Sequence, residues 1–66
     1  MNVKKIRIKE RLKEIGKSQG WLASYSGLKK EYVSSLATGR IKNPHLLTLI
    51  KISRALRCSI EDIWII

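Results

Sequence analysis

Lys30, Glu31, Ser34 and Ser35 gather hydrogen-bonding side chains within little more than one helical turn. Their spacing sets them on one side of a helix, with Thr38 one turn further on and Val33 and Leu36 on the opposite side. An ammonium such as that of Lys30 can donate to guanine O6 and N7, a carboxylate such as Glu31 can accept from cytosine N4, and a serine hydroxyl can serve either partner. A duplex major groove about 12 Å wide admits one helix and presents those edges. The expected chemistry is therefore reading of base pairs in double-stranded DNA. The plain alternative is the wet face of an ordinary surface helix. Glu31 stays open between two roles, because a carboxylate near phosphates is repelled unless it meets a donor: it contacts a base, or it pairs with Lys30 or Arg40.

The neighbouring residues suit a backbone rather than bases. Ser18 and Gln19 fall at a predicted helix N-terminus, where backbone N–H groups and the helix dipole favour a phosphate. The Gln19 amide could clamp that phosphate, or be a plain exposed glutamine. Lys17, Lys29, Arg40, Lys42 and the Asn43 amide flank the same surface, spread as cations spread on either side of a groove. Trp21 either packs across the first helix or lies against DNA sugar, partial burial being the expectation. Tyr25 and Tyr32 should turn their rings to the protein and their hydroxyls outward. His45 has no Cys or His at ligand spacing, so no metal site is expected. No Ser-His-Asp set, carboxylate pair or glycine-rich phosphate loop stands out, which speaks against an enzyme. Cys58 should pack beside Leu56 and Ile60.

Five helices are expected to hold these groups, with weak strand signals throughout. Ile8, Leu12 and Ile15 form one amphipathic stripe, stopped at Gly16. Ser18 caps a second helix with Leu22 and Ala23 inward, and Gly27 ends it in the left-handed conformation. Leu28 should be buried in the turn. Val33, Leu36 and Ala37 line a third helix, terminated at Thr38-Gly39. Asn43-Pro44 reads as N-cap and first position of a fourth, with Leu46, Leu49, Ile52, Ser53 and Leu56 inward. Ser59 with Asp62 resembles a capping box for a short fifth. The expected architecture is all-α: one compact bundle over residues 1–66, with a helix-turn-helix at about residues 18–38.

Composition narrows the functional classes. Sixty-six residues give one domain with little room for a catalytic pocket. Fourteen Lys and Arg against five Asp and Glu leave a net charge of +9, which attracts polyanions. A single cysteine allows no intrachain disulfide and fits a reducing compartment. The basic start is not followed by a continuous apolar run, so no signal peptide is read, and the Ile63-Trp64-Ile65-Ile66 end is too short to span a bilayer. A cytoplasmic protein with no cofactor, no small-molecule ligand and no membrane partner is expected.

At Ser18-Gln19, Leu22-Ala23, Gly27-Leu28, Val33-Ser34, Gly39, Asn43-Pro44, and residues 49–56 and 59–64, the chain resembles the Cro/repressor-type helix-turn-helix (XRE) regulators, over residues 6–64. The resemblance implies a lambda-repressor-like five-helix domain that binds operator DNA, commonly as a two-fold dimer, and regulates transcription, most often as a repressor. It implies Gln19 at a phosphate or base, Lys29, Lys30, Glu31, Ser34 and Ser35 at the groove, and Arg40, Lys42, Asn43 and His45 beside the backbone; Ser18 and Thr38 are counted with the DNA-binding set from their own positions. Three residues depart from the family pattern. Lys29 replaces a frequent capping Ser or Thr, Ala37 a common glutamate, and Arg57 a usual Gly or Asn, which strains that turn if it is left-handed.

A homodimer is expected through Leu47, Ile50, Trp64, Ile65 and Ile66, an apolar strip and tail beyond what the core stripe needs. The alternative is that Trp64 and an isoleucine cap the core of a monomer. An antitoxin or adaptor module that chiefly binds a protein partner is the rival function. A basic membrane-surface protein is a weaker one, opposed by the many turn and cap signals.

Overall fold

The computed structural model describes residues 4–65. In chain order its elements are β1 (Lys5–Ile6), α1 (Ile8–Glu14), α2 (Gln19–Ser26), α3 (Lys30–Thr38), α4 (Leu46–Ala55), α5 (Ile60–Ile63) and β2 (Trp64–Ile65). The five helices are the expected ones, and the two short strands are additional.

Local chemistry explains most helix boundaries. The Ser18 hydroxyl accepts the Trp21 backbone N–H at 3.0 Å and so caps α2, satisfying a donor that has no intrahelical partner. Gly27 closes that helix at φ 72°, and the Leu28 N–H turns back to the Ala23 carbonyl at 2.9 Å. At α5 the Asp62 carboxylate accepts from both the Ser59 N–H, at 3.1 Å, and the Ser59 hydroxyl, at 2.9 Å. Those bonds hold the Asp62 carboxyl below its ordinary range.

The turn after α4 repeats the pattern with the wrong residue. Cys58 N–H reaches back to the Ser53 carbonyl at 3.0 Å, as Leu28 does to Ala23, yet the left-handed position is Arg57, at φ 55°. A side chain there costs about 1–2 kcal/mol, only part of which the entropy of glycine would offset, at about 0.5–1 kcal/mol. Arg57→Gly is therefore expected to stabilise the fold by roughly 0.5–1 kcal/mol, raising the melting midpoint by about 2–8 °C for a domain of this size. Thermal unfolding followed by circular dichroism checks this, and an unchanged or lowered midpoint contradicts it. The same turn is braced from α1: Arg11 Nε donates to the Leu56 carbonyl at 2.9 Å and Nη2 to the Arg57 carbonyl at 3.2 Å. Both acceptors belong to backbone, so the brace survives the substitution.

Every helix contributes to one core. Ile8 of α1, Leu22 of α2, Val33 and Leu36 of α3, Ile52 of α4 and Ile63 of α5 are fully buried, with Leu56 from the turn after α4. Burying each such side chain stabilises by about 1.5–3 kcal/mol. Ser53 is the buried polar residue among them, and its hydroxyl donates to the Ile50 carbonyl at 3.0 Å. Leu28 is half-buried against this core rather than enclosed.

Three expectations need correction. First, β1 and β2 pair antiparallel, with Lys5 opposite Ile65 and Ile6 opposite Trp64, and the Arg7 N–H continues the contact to the Ile63 carbonyl at 2.9 Å. Second, α4 begins at Leu46 rather than Pro44, because His45 is extended, at ψ 146°, and its carbonyl is the first to accept an N–H from the helix. Leu46 consequently overhangs the end of the core at 65% exposure, although its angular position follows the inner stripe. Third, Trp64 is 6% exposed and lies in the strand pair opposite Ile6, so it belongs to the core and shows only an edge to the cleft beside the start of α4. Of the remaining residues expected at a dimer contact, Leu47 is 70% exposed, Ile50 and Ile65 are half-buried, and Ile66 lies outside the described residues.

Candidate nucleic-acid interface

Packing of α2 against α3 decides what α3 can present. Val33, Leu36 and Ala37 turn inward onto the core, which leaves Lys30, Glu31 and Thr38 exposed and Ser34 and Ser35 half-exposed on the outer side. These are the five α3 residues read from the sequence, and they share one outward surface. Its N-terminal edge is Lys29, which is extended and offers no side-chain cap to the helix, so its ammonium is free to point into solvent. The absent cap follows from residue type, since a lysine has no acceptor to offer the N–H groups of the first turn.

The individual side chains differ in how far they are committed. The Thr38 hydroxyl donates to the Ser34 carbonyl at 2.9 Å, so its oxygen keeps only acceptor capacity for an outside partner. Glu31 is exposed, and the ion pair found among the described residues joins Arg11 to Glu14 at 3.7 Å, not Glu31 to Lys30 or Arg40. Among the described residues Glu31 therefore has no intramolecular ion-pair partner. Ser18 is committed to its cap on α2. Gln19, the first residue of α2, is half-buried.

Loop residues complete the surface. Gly39, at φ 83°, ends α3, and the Arg40 N–H returns to the Ser35 carbonyl at 3.0 Å, which fixes where the following loop leaves the helix. Arg40, Lys42, Asn43 and His45 are all exposed on that loop. His45 serves as the backbone N-cap of α4 without a side-chain bond, so its imidazole remains available.

Sequence reasoning singled out Lys17 for this surface but not Lys4, Lys5, Lys9 or Lys13, which fall into two sets. Lys4 and Lys5 line a shallow recess with Ile6, Ala37 and Thr38, at the C-terminal end of α3. Lys9, Lys13 and Lys17 line another with Leu12 and Gln19. The first set reaches the site through the β1–β2 pairing, which has no local signal. The second was visible as the polar side of α1, and only the crossing of α1 over the start of α2 reveals its neighbour.

Burial pushes the Cys58 thiol above its ordinary value, against the lowering influence of Arg11, so it is a protonated packing group rather than a nucleophile. No group of His, Cys, Asp and Glu among the described residues could hold a metal ion. No helix of the described residues is long and apolar enough to cross a membrane.

Residues 8–63 match a family profile described as helix-turn-helix. Among solved structures the chain is similar to the SinR protein in a SinR/SinI complex, at 38% identity and a TM-score of 0.79, covering 85% of this chain and 54% of that one. It is similar also to SinR, described as the master regulator for biofilm formation, in complex with DNA, at 38% identity and a TM-score of 0.77, covering 83% of this chain and 87% of the other. A third match is the N-terminal DNA-binding domain of SinR from Bacillus subtilis, at 38% identity and a TM-score of 0.76, covering 83% and 80%. The chain thus spans about half the length of the first of these structures and most of the other two. Comparison with curated protein sequences gives no significant match.

Proposed function

The chain belongs to the helix-turn-helix family of Cro/repressor (XRE) type, and from that premise we propose that it is a sequence-specific DNA-binding regulator of transcription, most simply a repressor acting in the cytoplasm. The observation that carries this reading is the outward surface of α3, where Lys30, Glu31, Ser34 and Ser35 stand clear of the core between Lys29 and the loop bearing Arg40 and Lys42. Its similarity to a SinR chain solved with DNA supports the same reading. Binding, rather than catalysis, is the activity of such a domain. A repressor of this kind acts by occupying its operator.

Roles follow from position. Lys30, Glu31, Ser34 and Ser35 read base edges, while Lys29, Arg40, Lys42, Asn43 and His45 hold phosphates and fix the register of α3. Gln19 approaches a phosphate at the start of α2, held there by the Ser18 cap. The finer assembly is a two-fold pair of copies, each reading one half-site. Support for that pairing is the exposed Leu46 and Leu47 at the start of α4, next to a cleft of about 290 Å³ lined largely by apolar groups, including Pro44, Leu49, Ile60 and Trp64.

Selection of bound duplexes from a random library tests these assignments together. A two-fold-symmetric consensus is the expected outcome. Lys30→Ala should change the selected bases and lose about 1–3 kcal/mol of discrimination at its position, whereas Lys42→Ala should weaken matched and scrambled duplexes alike. Identical behaviour of the two variants on both duplexes would overturn the division of roles.

A further inference from the structure

On the flank of α2 that turns away from Gln19, the structure exposes an aromatic surface that DNA reading does not use. Trp21 lies two residues after Gln19, about 200° further round the helix, and Tyr25 follows one turn later on the same flank. Their rings are 5.2 Å apart between centroids and inclined by 33°, and Lys17 Nζ stands 5.3 Å from the Trp21 ring. Tyr25 is 66% exposed, whereas Trp21 is half-buried against the core. Between these rings and the end of α4 lies a cleft of about 260 Å³, whose further walls are Ile15, Ala55 and Arg57.

We propose that this cleft is a docking site for an acidic amphipathic segment of another protein, with an apolar side chain seated between Trp21, Tyr25 and Ala55 and carboxylates meeting Lys17 and Arg57. Three observations carry this inference. Trp, Tyr and Arg are the residue types that concentrate binding energy at protein interfaces, and here the aromatic pair and its lysine are already held together before any partner arrives. None of the five acidic residues lines the cleft, and Glu14, on the far side of Arg57, is taken up by Arg11. A partner carrying carboxylates is therefore matched to Lys17 and Arg57. Finally, Arg57, which lines the cleft, occupies a left-handed backbone position that glycine fits better, so an arginine is kept there at a cost in strain.

The test uses the whole chain, labelled with nitrogen-15, and a synthetic helical peptide with Leu and Phe at i and i+4 flanked by glutamates. Added peptide should shift the Trp21 indole N–H and the amides of Lys17, of residues 21–25 and of residues 55–58, leaving those of Gln19 and α3 in place. Tyr25→Ser and Arg57→Gly should each weaken the peptide by roughly tenfold, while both variants stay folded and still bind duplex DNA. The Arg57 variant is informative because it should gain thermal stability as it loses the peptide. Four outcomes would overturn the proposal: equal binding of the peptide with lysines in place of glutamates, undiminished binding by either variant, the same shifts produced by a single-stranded oligonucleotide, or the same shifts produced by raising the protein concentration alone.

Discussion

Raising monovalent salt from about 50 mM to about 200 mM should weaken duplex binding by about 40-fold for one copy of the domain, and by about 10³-fold for a two-fold pair. Each phosphate neutralised by a cation releases condensed counterions, and the logarithm of affinity falls with that of salt at a slope of about −0.9 per phosphate. Lys29, Arg40 and Lys42 are exposed around the outward face of α3, and taking one phosphate for each gives the single-copy figure. Doubling the set gives the second. Lys4 and Lys5, and Lys9 and Lys13, which line recesses beside that face, can only steepen the slope. A fluorescence-anisotropy titration over a salt series measures it directly. A slope near zero would mean that these cations face away from the duplex.

Leu36→Ala should remove most of the stability of the domain. Leu36 is fully buried on the inner side of α3, in the cluster that includes Leu22 of α2 and Ile52 of α4. Truncating such a leucine costs about 2–5 kcal/mol, from lost burial and from the cavity left behind. A chain of this size has only about 3–10 kcal/mol to lose. The melting midpoint should fall by at least about 10 °C, read by circular dichroism. DNA binding should fall with it, since α3 is positioned by that side chain. Lys51→Ala, at an exposed residue of α4, is the control and should shift the midpoint by no more than a few degrees. Equal melting of the two variants would contradict the packing described for α3.

How much of this was legible in the sequence depends on how local each signal is. The Ser18 cap, the left-handed Gly27 and Gly39, and the Ser59–Asp62 pair were readable because each is settled by residues within one turn. The outward set on α3 was readable for the same reason, since Val33 and Leu36 fix the rotation of a short helix. The strand pair was not, because Lys5 and Ile65 meet from opposite ends of the chain and neither dipeptide has an alternating pattern. That pairing also explains why Trp64 proved to be core and why Lys4 and Lys5 arrive beside α3. Leu46 shows a different limit. A helical stripe gives the angle of a side chain but not how far the facing core extends, and α4 begins later than Asn43-Pro44 suggests. The consequence of an arginine at position 57 was legible as a condition, and the backbone met it, at φ 55°.

The most direct single measurement is an amide-shift titration of the labelled chain with a duplex carrying its selected consensus, at low ionic strength. Perturbations should concentrate at Gln19, at residues 29–35 and at residues 40–45, with the fully buried Ile52 and Ile63 little changed. Shifts confined to α4 and α5 with α3 unmoved, or no response to any duplex, would contradict the placement of that helix in a DNA groove.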